Sequence, residues 1–99
     1  MSIINASIRD TNVNSATAEL NRIYWHSRRG MLELDLLLVP FAEKYVQHLT
    51  QEQQQLYKLL LLEEDQDLYT WLTRKARAPN PQLQSMIEII LAYQEKNKQ

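Results

Sequence analysis

The chain has 99 residues, and its 11 basic and 12 acidic side chains give a formal net charge of −1, so it fits one domain and has no general attraction for nucleic acid or anionic membrane. The absence of cysteine excludes disulfides, thiolate nucleophiles and cysteine metal sites. No apolar run is long enough to cross a bilayer, and residues 1–14 lack the basic and then apolar order of a signal peptide; we therefore expect a cytoplasmic protein.

The scarcity of helix-breaking residues predicts an all-α fold. The chain contains one glycine and three prolines, which indicates long helices with short connections, and no alternating apolar stretch predicts a strand. Residues 1–14 are polar and without periodicity, so we expect a flexible N-terminal segment there. Residues 15–96 are predicted to form one compact bundle of five helices.

The first two predicted helices lie on either side of the single glycine. The first covers about residues 15–27, and the second begins at about Arg29 or Gly30 and continues to about residue 45. Pro40 lies inside the second helix and is expected to kink or split it. The predicted apolar face of the second helix consists of Leu34, Leu37, Leu38, Phe41 and Tyr45.

The last three predicted helices have recognisable starts. Thr50 and Gln53 have the spacing of a capping box ahead of the third helix, and the acidic stretch 63–67 should end that helix and cap a short fourth one. Asn80 as N-cap and Pro81 in the first turn open the fifth helix. The predicted apolar faces of these helices consist of Leu56, Leu59, Leu60, Leu68, Trp71, Leu72, Leu83, Met86, Ile87, Ile90 and Leu91.

Residues that could carry catalysis are scattered along the chain. His26 and His48 lie in different predicted segments without the spacing of metal ligands, so no metal site is predicted. One glycine cannot build a phosphate-binding loop, and nothing in the sequence places a serine, a histidine and an aspartate together as a triad. We therefore expect a protein that acts on a protein partner and is not an enzyme.

The stretch Tyr24-Trp25-His26 is the first candidate for a binding surface. Three adjacent residues on a helix point in three directions, so the three side chains cannot all be buried. An exposed tryptophan or tyrosine is a common anchor of a protein interface. Phe41 and Trp71, by contrast, recur at helical spacing with leucines and are predicted to lie in the core.

The segment around the single glycine is the second candidate. Arg29 and Glu33 are four residues apart, and Arg28 and Asp35 are seven apart, so on a helix each pair would share a face. These pairs could be surface ion pairs worth a few tenths of a kcal/mol, or part of a docking site. Gly30 could end the first helix as a C-cap or let another backbone approach closely. The residues alone leave both alternatives open.

Two ordered blocks carry a resemblance to a known family. The first block is RIYWHSRRGMLELD at residues 22–35, followed by Val-Pro-Phe at 39–41, and the second is DQDLYTWL at residues 65–72. The blocks resemble the Arg-Gly-x-x-Glu hallmark and the Asp-x-Asp-Leu-x-x-Trp-Leu segment of the SdhE (YgfY) family of bacterial succinate dehydrogenase assembly factors. The hallmark is matched by Arg29, Gly30 and Glu33, and the similarity covers about residues 18–93.

The resemblance implies a function on a flavoprotein. A member of this family binds the flavoprotein subunit of succinate dehydrogenase or fumarate reductase and promotes the covalent attachment of FAD to a histidine of that subunit. It implies that the protein holds no cofactor stably by itself and acts on the FAD of its partner. The partner-binding residues that it implies are Arg29, Gly30 and Glu33, with Arg28, Tyr24, Trp25 and Asp35 as neighbours.

Two other classes of binding protein compete with this interpretation. An antitoxin-type protein that binds the toxin of a toxin–antitoxin pair is the alternative, and recovery of the bound partner would separate the two. A helical DNA-binding regulator is the other, but the net charge of −1 and the absence of a helix rich in lysine and arginine count against it.

Overall fold

The computed structural model describes residues 15–97, which form five α-helices. The helices are α1 (Ser15–Ser27), α2 (Leu32–Lys44), α3 (Gln51–Leu60), α4 (Asp65–Leu72) and α5 (Pro81–Lys96), with a short 3₁₀ turn at Val46–His48. No strand occurs within the described range, and the predicted all-α bundle of five helices is confirmed. Residues 1–14 lie outside the described residues, so the predicted flexible segment and the division at residue 15 stay predictions.

Local hydrogen bonds fix the starts of α3 and α5 as the sequence predicts. The amide of Gln53 donates to Oγ1 of Thr50, and the amide of Thr50 donates to Oε1 of Gln53, both at 3.0 Å. This is a complete capping box, which satisfies N–H groups that have no partner inside the helix. Asn80 Oδ1 accepts from the amides of Gln82 at 2.7 Å and Leu83 at 3.2 Å.

The connection between α1 and α2 differs from the prediction. Gly30 has a φ of +85°, a left-handed conformation that a right-handed helix cannot contain. For this reason α2 begins at Leu32 and not at Arg29 or Gly30. Arg29 therefore precedes the helix, and the prediction that Arg29 and Glu33 share one helix face is wrong.

Pro40 lies inside α2 without dividing it. The helix continues from Leu32 to Lys44, so the expected split does not occur. Proline leaves the carbonyl of Leu36 without its usual i+4 donor. Because Leu36 lies on the exposed face of α2, water can satisfy that carbonyl at little cost.

The core lies around α2, which packs against α1, α4 and α5, while α3 packs against α5. The fully buried apolar side chains of the core come from α2, α3, α4, α5 and the segments between α2 and α4. Phe41 contacts Tyr57 and Tyr93, with ring centroids 5.3 and 5.6 Å apart. Two residues of the predicted apolar faces are exposed, Leu59 at 54% and Tyr45 at 38%. Tyr57 and Leu60 supply the buried face of α3 instead. The fully buried apolar residues are Leu34, Leu38, Phe41, Val46, Tyr57, Leu60, Leu61, Leu68, Met86, Ile87 and Ile90.

The described helices give no candidate for a membrane span. None of them combines the length and the apolar character that crossing a bilayer requires.

Candidate partner-binding surface

The side chain of Arg29 reaches from the α1–α2 connection to the turn between α3 and α4. Its Nε donates to Oδ1 of Asp65 at 2.8 Å. Its Nη1 donates to the carbonyl oxygens of Leu61 at 2.8 Å and His26 at 3.1 Å, and its Nη2 donates to the carbonyl of Glu63 at 2.9 Å. These four bonds occupy four of the five N–H groups of a guanidinium, so Arg29 joins three parts of the chain.

Burial supports a structural role for this arginine. The Arg29 side chain is only 11% exposed, whereas its partner Asp65 is 35% exposed. The possible surface ion pair between Arg29 and Glu33 is not formed, because the guanidinium points to Asp65 on the other side of the connection. Asp65, which the sequence analysis assigned to cap chemistry, serves as the ionic partner of Arg29.

Asp35 holds the other side of the connection. Its Oδ1 accepts the backbone N–H of Arg29 at 2.7 Å, and its own amide donates to Met31 at 2.9 Å within the first turn of α2. The possible pair between Arg28 and Asp35 is not among the ion pairs of the described residues either. The Arg28 guanidinium lies over the ring of Trp25, 5.4 Å from its centroid, in a cation–π contact.

The end of α1 presents aromatic surface, as predicted. Trp25 is 63% exposed, and Tyr24, which is half-buried, meets the Trp25 ring edge-on with centroids 5.3 Å apart. His26 is exposed. The prediction that these three side chains cannot all be buried is confirmed, and Trp25 is the largest apolar side chain that they expose.

Gly30 and Glu33 are also exposed and follow Trp25 by five and eight positions in the chain. A Cβ added at Gly30 would meet no atom within 4 Å, so no neighbour within the described chain fills the space above this glycine. Glu33 is exposed and takes part in none of the four ion pairs found among residues 15–97. We call the exposed set Trp25, Arg28, Gly30 and Glu33 the motif surface.

Sequence reasoning missed two features around the motif surface. Leu32 and Leu36 are exposed and lie on α2 before and after Glu33 in the chain. Their exposure could have been predicted, because both leucines lie outside the predicted apolar face of the helix. The anchoring role of Asp65 had no local signal, since Asp65 is 36 positions from Arg29. No group of metal-ligating side chains large enough to hold an ion occurs in the described part of the chain.

The fold defines a small all-α domain, and comparison with known proteins gives the family. A family model described as "Flavinator of succinate dehydrogenase" matches residues 21–94. A protein of Pseudomonas savastanoi pv. phaseolicola named "FAD assembly factor SdhE" is 52% identical over 73 residues, which cover 74% of this chain and 87% of that relative. The same name is given to relatives in Pseudomonas aeruginosa, 47% identical over 73 residues with 74% and 87% covered, and in Photobacterium profundum, 39% identical over 75 residues with 76% and 85% covered.

The chain therefore belongs to the family of succinate dehydrogenase flavinators, and the resemblance seen in its two sequence blocks is confirmed. The family is one of assembly factors for FAD.

Proposed function

We infer that this protein binds the flavoprotein subunit of succinate dehydrogenase or fumarate reductase in the cytoplasm and promotes the covalent attachment of FAD to that subunit. The observation that supports this most is the motif surface. It presents an exposed tryptophan, an open glycine and a glutamate outside the ion pairs of residues 15–97, all within nine residues of chain, in a protein of the flavinator family. The antitoxin alternative has no comparable support.

The proposed role needs no catalytic group from this chain. The histidine and the flavin that become joined both belong to the partner, so the protein contributes by binding a domain arrangement in which they meet. Holding two reacting groups in the right orientation lowers the barrier by removing the entropy cost of finding it. A protein that prefers this arrangement raises its population without entering the reaction. The proposal therefore includes no enzymatic activity for the isolated protein and no stably bound cofactor.

Each part of the motif surface has a physical use in such a complex. The space above Gly30 lets a partner backbone approach closely, since no side chain occupies it. Glu33 offers an exposed carboxylate, which takes part in no ion pair of the described residues, for a charge-assisted hydrogen bond. Trp25 supplies a large rigid apolar contact, and Arg28 keeps its charge above the ring. Leu32 and Leu36 extend the apolar area along α2.

The test is covalent flavinylation of the flavoprotein subunit, read as in-gel flavin fluorescence after denaturing electrophoresis, in a host that lacks its own assembly factor. We expect Gly30→Arg to reduce flavinylation at least tenfold because the long side chain blocks close approach. Gly30→Ala is the matched control, since both variants place a Cβ at a φ of +85° and share a strain of about 1 kcal/mol. Gly30→Ala should retain most of the activity.

The same assay separates the charge of Glu33 from a general effect of α2. Glu33→Gln should reduce flavinylation severalfold, whereas Glu43→Gln, at another exposed position of the same helix, should have no effect. Normal flavinylation with folded Gly30→Arg and Glu33→Gln proteins would refute the proposed function of this surface. If Gly30→Ala fails as severely as Gly30→Arg, the glycine is needed for its backbone conformation and not for close approach.

A further inference from the structure

Arg29 and Glu33 belong to one motif but have opposite environments. Glu33 is exposed and outside the ion pairs of the described residues, whereas Arg29 is nearly buried and has four side-chain hydrogen bonds within the chain. An arginine whose donors are already engaged has little left to offer a partner without losing those bonds. The two residues therefore cannot contribute to binding in the same way.

We propose that Arg29 is a positioning residue, which fixes the Gly30 connection on the α3–α4 turn through Asp65 and does not contact the partner itself. This proposal rests on the proposed function of the motif surface. It assigns to Asp65, which lies outside the motif, a share in partner recognition through Arg29. The effect of Arg29 on partner binding then comes from the position in which Gly30 is held relative to Glu33.

The electrostatic setting explains why a cation is needed at this point. The last carbonyl groups of a helix lack partners inside it and carry partial negative charge. Leu61 is the C-cap of α3 and Glu63 follows it in the turn, and both present carbonyl oxygens to the guanidinium. Asp65 begins α4 and adds a full negative charge. The planar guanidinium can satisfy all three acceptors at once, which the single ammonium group of lysine cannot do with the same geometry.

The backbone of Arg29 completes the link between the turn and the motif surface. Its N–H donates to Asp35 on α2, while its side chain binds the α3–α4 turn and the carbonyl of His26 at the end of α1. Gly30 follows directly in sequence, and its left-handed φ sets the direction in which the chain enters α2. Loss of the Arg29 side chain would leave the connection attached to α2 but detached from α3 and α4. Gly30 would then sample several positions relative to Glu33, which stays in place on α2.

A double-mutant cycle on binding to the purified flavoprotein subunit tests this proposal. We expect Arg29→Ala to raise the dissociation constant at least tenfold and Asp65→Ala to raise it severalfold. Because both act through one link, the double variant should bind no more weakly than Arg29→Ala alone. Asp65→Asn, which keeps the Oδ1 acceptor used by Nε, should stay within about threefold of wild type.

A control variant that is destabilised to a similar extent at another site separates a positioning role of Arg29 from general destabilisation. Thr50→Ala removes the N-cap of α3 and should lower the melting temperature while leaving the affinity and the NMR position of the Gly30 amide unchanged. Asp65→Ala should move that amide resonance. If Thr50→Ala weakens binding as much as Asp65→Ala at the same loss of melting temperature, Arg29 has only a structural role.

Direct contact between Arg29 and the partner predicts a different result. Asp65→Ala would then leave the NMR position of the Gly30 amide unchanged, whatever its effect on binding, because only the Arg29 side chain and not the position of the connection would matter. That outcome overturns the positioning proposal but leaves the motif surface intact, provided that Gly30→Arg and Glu33→Gln still lose binding. If those two variants bind normally, the proposed function itself fails.

Discussion

Ser27 and Tyr57 form a buried hydroxyl pair that joins α1 to α3. The Ser27 hydroxyl donates to the carbonyl of Ile23 at 2.7 Å, and the Tyr57 hydroxyl lies 2.7 Å from the same Ser27 oxygen. Because serine has one hydroxyl proton, which Ile23 accepts, Tyr57 must be the donor to Ser27. Burial raises the pKa of the Tyr57 phenol, which keeps the donated proton in place.

This arrangement predicts unequal costs for removing the two hydroxyls. Tyr57→Phe leaves Ser27 bonded to Ile23 and should destabilise the protein by about 1 kcal/mol. Ser27→Ala leaves a fully buried phenol without its acceptor and should cost more, about 2 kcal/mol. Urea unfolding of both variants measures the difference. Equal losses, or a larger loss for Tyr57→Phe, would show that Tyr57 finds another acceptor.

At the scale of the element, the start of α5 depends on one side chain. Asn80 accepts two backbone N–H groups of the first turn, and Pro81 occupies a position where no N–H is needed. Asn80→Ala should cost about 1 kcal/mol, and Asn80→Asp should cost little because aspartate also accepts and suits the positive end of the helix. Thermal unfolding checks both values, and flavinylation should be unchanged because α5 carries none of the motif surface. A cost for Asn80→Asp as large as that for Asn80→Ala would contradict the capping interpretation.

At the scale of the whole molecule, two carboxylates link elements that are distant in sequence. Glu19 on α1 pairs with Lys58 on α3 and with Arg22, and Glu88 on α5 pairs with Arg74 just after α4. Hydrogen bonds from Lys58 and Arg22 lower the pKa of Glu19 below its usual value near 4.5. Arg74 and Gln84 lower the pKa of Glu88 in the same way.

These lowered pKa values predict how stability depends on pH. In the unfolded chain both carboxyls take up protons near pH 4.5, whereas in the folded protein they stay ionised to a lower pH. Their contribution is therefore complete above that value and is lost as the pH falls through the folded-state pKa. We expect the melting temperature to fall below about pH 5.

The carboxylates responsible for this acid sensitivity can be identified by substitution. The double variant Glu19→Gln with Glu88→Gln should lose melting temperature at neutral pH and show a shallower decline in acid. Glu43→Gln, at an exposed position outside the four ion pairs of the described residues, should follow the wild-type curve. An unchanged slope in the double variant would assign the acid sensitivity to other groups.

The sequence by itself determined the features that depend on near neighbours. The capping box of Thr50 and the N-cap of Asn80 join groups two or three residues apart. Their separation along the chain therefore determines how close these groups lie in space. Helical periodicity likewise predicted Phe41 and Trp71 in the core. The motif itself is visible in the sequence as a short run, and the geometry of three adjacent residues predicted that Tyr24, Trp25 and His26 could not all be buried, without deciding which of them is exposed.

Only the tertiary structure decided which residues at this surface face outward and which hold it in place. Arg29 pairs with Asp65, 36 positions away, and not with Glu33, four positions away. The local pairing fails because the left-handed Gly30 interrupts the helix that would have aligned it. Leu59 fits the apolar period of α3 but is exposed, because burial depends on which helices pack against each face and not on period alone. Distant partners and the direction of a connection are set by the packing of whole helices, which no local pattern encodes.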